Sequence, residues 1–467
     1  MPELETSQEA PLRREPRSPR GRISFASIGC KANQEEMECL VSRLADAGYV
    51  VVPFGAPADW TVVNTCTVTG AGDSDSRQAV RRAARLNPEG RLIVTGCLAQ
   101  RDPATLAALP GVDWVVGNGE KPYLAQYILD AEPERRAARV LVGADPTVKA
   151  FPDYGAARDG RRTRATLKVQ DGCDEHCTFC VIPEVRGRSR SRPLDDVLRQ
   201  AERLVASGYR EVMLTGINTA LWGADADGPR ELGELLFALA EVPGLARIRL
   251  NSLEPQLVTD RWLELMARSR RVCQHLHLPL QSGDDRVLRR MNRRYSCADY
   301  AALVARVRAW MPDCAIGADL LVGFPGETEA QFEETCRFVE EQRLAYLHVF
   351  SYSPRPGTAA PKLGAEVPAA EKARRSARLR AVGVRLRAQF AQSQLGSRQQ
   401  ILVEAPSGGD GWQGLTGNYL RVRFSDPRTA LGGTMVEVRL ESLDPRGMIR
   451  GQVIAGDATS PASEERV

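Results

Sequence analysis

The sequence predicts a mixed α/β chain in three parts: an N-terminal parallel α/β sheet, a central (βα) barrel that is partial or complete, and a small C-terminal all-β barrel. Three observations carry this. Between Ile23 and Tyr127, apolar runs alternate with helical stretches, the pattern of βαβ units and a parallel sheet. From Thr163 to Leu386, five or six strand–helix units follow one another. From Gln394 to Ile454, short β-rich runs are separated by Gly, Pro, Asp and Ser.

In the first part the expected strands are Ile23–Ile28, Trp60–Asn64, Arg91–Thr95 and Asp113–Val116, with helices over Glu35–Ala47 and Ser74–Leu86 and a shorter one after Asp102. Pro146, Pro152, Gly155, Gly160 and a run of Arg mark a linker, with a short edge strand at Arg139–Val142. In the barrel the strands are Ala165–Gln170, Glu211–Thr215, Arg247–Asn251, His275–Pro279, Ile316–Val322 and Tyr346–Phe350. Helices begin near Pro193, Glu231, Thr259, Asp284 and Thr328. A basic helix, Ala369–Gln394, precedes the last part, whose strands are Gln400–Glu404, Gly417–Phe424, Met435–Leu443 and Met448–Val453. The expected boundaries are a disordered leader over 1–20, the sheet unit over 21–132, a linker over 133–158, the barrel over 159–390, the small barrel over 391–457 and a tail over 458–467.

The 467 residues, 43% apolar and 26% charged, have the mix of a folded globular chain. No apolar run approaches the roughly 18 residues of a membrane span, and the polar, Pro/Arg-rich start lacks the apolar core of a secretory signal. The expected location is the cytoplasm. The net charge of +4 does not by itself imply nucleic acid. Only six of the 63 basic residues are Lys, and arginine suits bidentate phosphate recognition. Eleven cysteines in a reducing compartment point to metal ligation, catalysis or packing rather than disulfides.

The strongest local signal is Gly172-Cys173-Asp174-Glu175-His176-Cys177-Thr178-Phe179-Cys180, directly after the first barrel strand. Three thiolates so close on one loop hold a [4Fe–4S] cube by three corners and leave one iron open to a small molecule. Zinc would want a fourth ligand, and His176 lies between the thiols rather than beside them. A second set is not local: Cys30, Cys66 and Cys97 each end an apolar run, in FASIGC, TVVNTC and LIVTGC. If those runs are parallel strands of one sheet, the three thiols converge where open α/β sheets bind ligands. Cys39, Cys273, Cys297, Cys314 and Cys336 read as packing or partly exposed thiols.

The barrel region resembles the radical S-adenosylmethionine (SAM) enzymes. The resemblance implies that Cys173, Cys177 and Cys180 hold the cluster whose open iron binds SAM, which is cleaved there to a 5′-deoxyadenosyl radical. It implies SAM contacts at strand ends: Thr215, Gly216 and Asn218 in LTGIN; Ser252 and Glu254; Gln281; Asp319 and Gly323. The pieces GCKANQ, NTCTVTG and VTGCLAQ match the N-terminal domain of the methylthiotransferases, which implies a second [4Fe–4S] cluster on Cys30, Cys66 and Cys97 as sulfur carrier. No catalytic residue beyond the cluster ligands is implied. Finer likeness, in QDGCDEHCTFCVIPEVRGRSRSRP and RLNSLEP, is to the group that methylthiolates C2 of N6-threonylcarbamoyladenosine at tRNA position 37.

The third part resembles a TRAM domain, which binds RNA in this family. Arg421, Arg423 and Arg428 are candidate phosphate contacts and Trp412 and Tyr419 candidate base-stacking groups, whereas Phe424 reads as core. The larger basic footprint is the Ala369–Gln394 helix together with Arg186, Arg188, Arg190 and Arg192. A solvated basic face is the plain alternative for that helix. The expected partners are a tRNA anticodon loop, an unidentified electron donor and a sulfur source. Alternatives are a sister enzyme acting on isopentenyladenosine-37 or on a ribosomal-protein Asp, and a non-catalytic RNA-binding iron–sulfur sensor.

Overall fold

The computed structural model describes residues 20–131, 138–143, 151, 162–225, 230–409, 411–428, 430–444 and 447–454. Most of the expected leader and linker and all of the expected tail lie outside them. The first sheet has six strands: β1 (Gly21–Ser27), β2 (Tyr49–Val52), β3 (Trp60–Thr65), β4 (Arg91–Gly96), β5 (Val112–Val116) and β6 (Arg139–Leu141). Their order is β2-β1-β3-β4-β5-β6, every pair parallel. Helices α1 (Lys31–Asp46), α2 (Gly70–Leu86), α3 (Cys97–Arg101), α4 (Pro103–Ala107) and α5 (Leu124–Leu129) connect them.

Several features differ from the expectation: α3 and α5 are additional helices, and α2 begins at Gly70 rather than Ser74. Strand β2 was not anticipated; Tyr-Val-Val-Val follows the Gly48 turn at once and pairs on the outer edge of β1. Helix α1 begins four residues before Glu35, because its first turn buries polar Asn33, Glu35 and Glu36 beside the small Ala32. Periodicity of apolar residues cannot register such a turn.

The barrel strands are β7 (Ala165–Lys168), then the two-residue antiparallel pair β8 (Gln170–Asp171) and β9 (Arg190–Ser191), then β10 (Glu211–Thr215), β11 (Arg247–Leu250), β12 (His275–His277), β13 (Ala315–Val322) and β14 (Tyr346–Ser351). Sheets β11-β10-β7 and β12-β13-β14 are parallel throughout and join through the bridges Ile248–Val272 and Ser252–His277. Among the described residues no ladder joins β14 back to β7, so the barrel is partial. Around it run α6 (Ile182–Arg186), α7 (Leu194–Ala206), α8 (Leu232–Ala240), α9 (Asp260–Arg268), α10 (Asp285–Arg290), α11 (Cys297–Trp310), α12 (Glu329–Glu341) and α13 (Ala369–Ser393). Ser296 and Thr328 close capping boxes that fix where α11 and α12 start.

Strand alternation sorts the side chains. Ile248, Leu250, Leu276, Leu278, Ile316, Ala318 and Leu320 pack outward against the helices. The intervening Arg247, Arg249, His275, His277 and Asp319 therefore face the barrel interior, which is polar.

The C-terminal strands β15 (Arg398–Gly408), β16 (Gly411–Thr416), β17 (Arg421–Ser425), β18 (Met435–Leu443) and β19 (Ile449–Val453) close a barrel in the order β15-β16-β17-β19-β18. This barrel is docked, not tethered. Arg247 donates to the carbonyls of Gln400 (3.1 Å) and Leu415 (2.9 Å), and Arg249 to those of Gly417 (2.9 Å) and Thr416 (3.0 Å). Buried Glu211 pairs with both arginines. Tyr419 stacks on His275 with ring centroids 4.5 Å apart.

Several of the expected RNA contacts are corrected here. Arg186 is fully buried, and Arg190 and Arg192 are buried, so none of the three can meet a phosphate backbone; Arg188 alone of that run is exposed. Trp412 and Phe424 lie in the small barrel's core, and Tyr419 packs against the large barrel. Arg421 is half exposed but pairs with Glu404, and Arg428 with Asp426, while Arg423 is exposed. On α13, Lys372 and Arg375 are buried. Arg374, Arg378 and Arg385 pair with Glu329, Glu333 and Glu340 of α12. A run that reads as basic in isolation is thus half of an interhelical ion-pair ladder.

Burial decides which of these pairs stabilise. Glu211→Ala leaves two buried guanidinium groups without their anion and is expected to cost about 3–5 kcal/mol. Arg378→Ala breaks an exposed pair and is expected to cost under about 1 kcal/mol. Urea unfolding of the two variants beside the parent checks the contrast.

Candidate functional site

Strands β1, β3 and β4 are neighbours, and their carboxyl ends bring three cysteines together. Cys66 is the first residue past β3, Cys97 opens α3 directly after β4, and Cys30 is the N-cap of α1, three residues past β1. Two glycines make this possible. A Cβ on Gly29 (φ +106°) would stand 2.9 Å from the Cys66 sulfur, and one on Gly96 (φ +99°) 2.4 Å from the Thr65 carbonyl oxygen. Burial pushes the Cys66 thiol up to about 11, and Cys97 and Cys30 push it the same way. The three are electrostatic neighbours, as the strand ends predict.

Beside them lies a buried charge cluster that sequence reasoning missed. Arg186 Nε donates to Cys97 Sγ (3.3 Å), its guanidinium pairs with Glu36, and Asn118 Nδ2 also approaches Cys97 Sγ (3.7 Å). Glu36 pairs further with Lys121 (2.7 Å) and Lys168, and Lys168 with Asp171 (2.8 Å), which also takes Arg190 (3.0 Å). Burial alone would raise the Glu36 carboxyl, but Arg186, Lys121 and Lys168 hold it well below the usual range. Among the ion-paired groups four cations face two anions, with the Glu35 carboxyl, pushed up to about 7 by burial, beside them. The surplus positive charge is what three thiolates on a metal cluster would balance, so the donor set and its surroundings fit such a group.

The second trio sits on the loop between β8 and α6. The β8–β9 pair pins the base of this loop. Gly172 (φ +72°) turns it so closely that a Cβ would stand 1.9 Å from the Arg188 carbonyl oxygen. Backbone N–H groups aim at two sulfurs: Glu175 N at Cys173 Sγ (3.4 Å) and Ile182 N at Cys180 Sγ (3.4 Å). Arg293 Nη1 donates to Cys177 Sγ (3.2 Å) while pairing with Glu254. Burial pushes the Cys173 and Cys180 thiols up to about 12, and raises Cys177 against the opposing pull of Arg293. Each trio carries one arginine, paired with a glutamate, aimed at one sulfur.

Helix α6 ties the two trios together. At its start Ile182 N donates to Cys180 Sγ; at its end Arg186 Nε donates to Cys97 Sγ. Five helical residues rise about 7.5 Å. The loop after β14 adds a second tie beside Cys66: Arg355 donates to Thr67 Oγ1 (2.6 Å) and pairs with Asp73 (2.8 Å), and Gly70 N donates to Ser353 Oγ (3.1 Å).

Of the other expected residues, Thr215, Gly216 and Asn218 reach the barrel trio through Gln170, another residue missed. Gln170 Oε1 accepts from Ile217 N (3.0 Å) and Asn218 N (2.8 Å), and its Nε2 donates to the Gly172 carbonyl (2.7 Å). Thr215 Oγ1 accepts from Asn251, and Asn218 Oδ1 is buried without a protein partner among the described residues. Glu254 joins the site through Arg293. Ser252 and Gln281 contribute backbone bridges to β12 and β13, and Gly323 N donates to Glu327 (2.7 Å). Asp319 stands apart from these: its carboxylate accepts from His277 (2.9 Å) and His348 (3.3 Å). All eleven cysteines are free thiols.

The radical SAM superfamily matches residues 167–339, and the uncharacterized protein family UPF0004 matches residues 22–117. The threonylcarbamoyladenosine tRNA methylthiotransferase MtaB of Bacillus subtilis is 39% identical over 430 residues, 90% of this chain and 93% of that one. A ribosomal protein uS12 methylthiotransferase RimO of Anaeromyxobacter is 37% identical (82% and 81% covered), and a tRNA-2-methylthio-N(6)-dimethylallyladenosine synthase of Parafrankia 38% (82% and 78%). In fold, the radical SAM methyltransferase TsrM of Kitasatospora setae superposes with a TM-score of 0.53 at 18% identity, over 72% of this chain and 77% of that one.

Arg186→Ala removes a donor to Cys97 while leaving Glu36 its two lysines. It is expected to cost about 10–100-fold in metal affinity at the N-terminal trio and little at the barrel trio. The rate at which a chelator strips each class of iron checks this.

Proposed function

The chain belongs to the radical SAM methylthiotransferases, enzymes that use SAM and two [4Fe–4S] clusters, and from that premise we propose that it transfers a methylthio group to C2 of N6-threonylcarbamoyladenosine at position 37 of tRNA. The observation that carries the reading is the pair of thiol trios at opposite ends of α6. In this proposal Cys173, Cys177 and Cys180 hold the SAM-binding cluster, and Cys30, Cys66 and Cys97 hold the auxiliary cluster. When bound, the clusters and SAM supply a radical able to activate an aromatic C–H, which offers neither an acidic proton nor a leaving group, and a sulfur to take its place.

The protein's own groups position and shield. Arg293 and Arg186 each donate to one ligand sulfur and stabilise the added negative charge of a thiolate-bound cluster. Gln170 holds the Thr215–Asn218 turn against the cysteine loop, where Thr215, Gly216 and the unpartnered Asn218 Oδ1 are the groups we assign to SAM, with Gly323 and Gln281 closing the far side. Glu254 keeps Arg293 oriented.

Five MtaB enzymes among the relatives, 34–39% identical over 82–93% of this chain, support the threonylcarbamoyl substrate. Arg423, exposed, and Arg188, exposed though paired with Asp174, are the candidates kept for phosphate contact. No described helix is long and apolar enough to cross a membrane. The reaction as proposed takes place in the cytoplasm and draws on an external electron donor and sulfur source.

Cys66→Ala is expected to keep SAM cleavage to 5′-deoxyadenosine and lose methylthiolation, whereas Cys177→Ala loses both; identical behaviour of the two rejects the division of roles. Mass spectrometry of tRNA nucleosides from a deletion strain is expected to lack the methylthio-threonylcarbamoyl nucleoside. Loss of methylthio-isopentenyladenosine instead moves the substrate to the sister group.

A further inference from the structure

We propose that Asp319, held in place by His277 and His348, is the group that docks an N–H on the edge of the substrate adenine inside the barrel. The inference rests on the adenosine reading above but not on which N6 substituent the adenosine carries.

The three residues stand on the adjacent parallel strands β12, β13 and β14, with side chains on the inner face. His277 Nε2 lies 2.9 Å and His348 Nδ1 3.3 Å from the same oxygen, Asp319 Oδ1. A second row of polar contacts lies behind them. Tyr346 OH lies 3.0 Å from His277 Nδ1 and 2.8 Å from His275 Nε2. A carboxylate only accepts, so His277 presents a protonated Nε2 to it. The contacts from His277 and His348 hold the Asp319 carboxylate in one orientation. Burial alone would raise that carboxyl, but the hydrogen bonds from His277 and His348 lower it, so it is an anion at neutral pH.

Asp319 Oδ2 has no partner among the described residues. Elsewhere in the barrel Glu211 is committed to Arg247 and Arg249, Glu254 to Arg293, and Asp171 to Lys168 and Arg190. One oriented acceptor is therefore left for a ligand that brings a donor. Its place suits the substrate better than SAM. Asp319 precedes the end of β13 by three residues, about 10 Å below the strand ends where the cysteine loop sits.

Strand β14 is the open edge of the barrel, and its inner face continues past buried Tyr346 to His348 and Phe350, which is 45% exposed. Large flat side chains beside an oriented hydrogen-bonding group are what an enzyme needs to hold an unstacked base, by stacking and by contacts to its edge. An N6-substituted adenine keeps an N–H on that substituent's nitrogen, and Asp319 Oδ2 accepts it. Nothing at this position demands a covalent or proton-transfer step. Asp319 is a positioning residue, and its loss separates radical formation from product.

The test uses the reconstituted full chain with an anticodon stem-loop carrying the modified adenosine, measuring 5′-deoxyadenosine and methylthio product together. Asp319→Asn is expected to keep its iron and go on cleaving SAM, while product formed per 5′-deoxyadenosine falls about 10–100-fold, the effect of losing a hydrogen bond to a charged group. His348→Ala, at a half-exposed position, is expected to shift the same ratio in the same direction by less. Parent-like coupling in Asp319→Asn overturns the inference. So does loss of SAM cleavage without RNA in a variant that keeps its iron, because Asp319 then serves SAM. A parent enzyme that modifies no adenosine overturns the substrate reading and this inference with it, whereas a parent that works beside a coupled Asp319→Asn overturns the inference alone.

Discussion

The ion pair between Glu36 and Arg186 holds the molecule's two halves in register. Glu36 belongs to the first helix of the sheet unit; Arg186 ends the short helix that leaves the barrel's cysteine loop. Both are buried, and each also has a partner on its own side, Lys121 for Glu36 and Asp171 for Arg186. Lys121, Lys168, Arg190 and Asp171 complete a cluster that carries more positive than negative charge. Burying such a group is unfavourable unless anions complete it, and the nearest candidates are the thiolates of Cys30, Cys66 and Cys97. In the proposed reading, a cluster held by that trio would supply the missing negative charge.

From that constraint the rest of the architecture follows. A radical reaction needs its two reactive centres fixed relative to each other and its substrate fixed relative to both. Helix α6 does the first, with a sulfur at each end. The partial barrel does the second: its helices take the apolar face of each strand and leave a polar interior, closed below by the docked small barrel and open along β14. The small barrel, anchored by Arg247, Arg249 and Tyr419, is part of the barrel floor.

Much of this was legible in the sequence, and the boundary is physical. The six cysteines announce themselves because each ends an apolar run or falls in a tight loop, so strand direction alone predicts where the thiols point. The barrel strands were legible from their short apolar runs and the caps that follow. What was not legible depends on partners far apart in the chain. Nothing near Arg186 announces Glu36, 150 residues earlier, so a buried pair reads as a surface arginine. The arginines of α13 meet glutamates of α12 forty-five residues before them, so a ladder reads as a basic face. The His277–Asp319–His348 group is spread over three strands and has no local motif.

The central claim is that this chain carries two iron cubes, one on each trio of thiols. Mössbauer spectroscopy with iron analysis on anaerobically prepared full-length protein tests it most directly. The account predicts about eight irons per chain, all in cubane clusters; about four irons, in a single cluster, contradicts it.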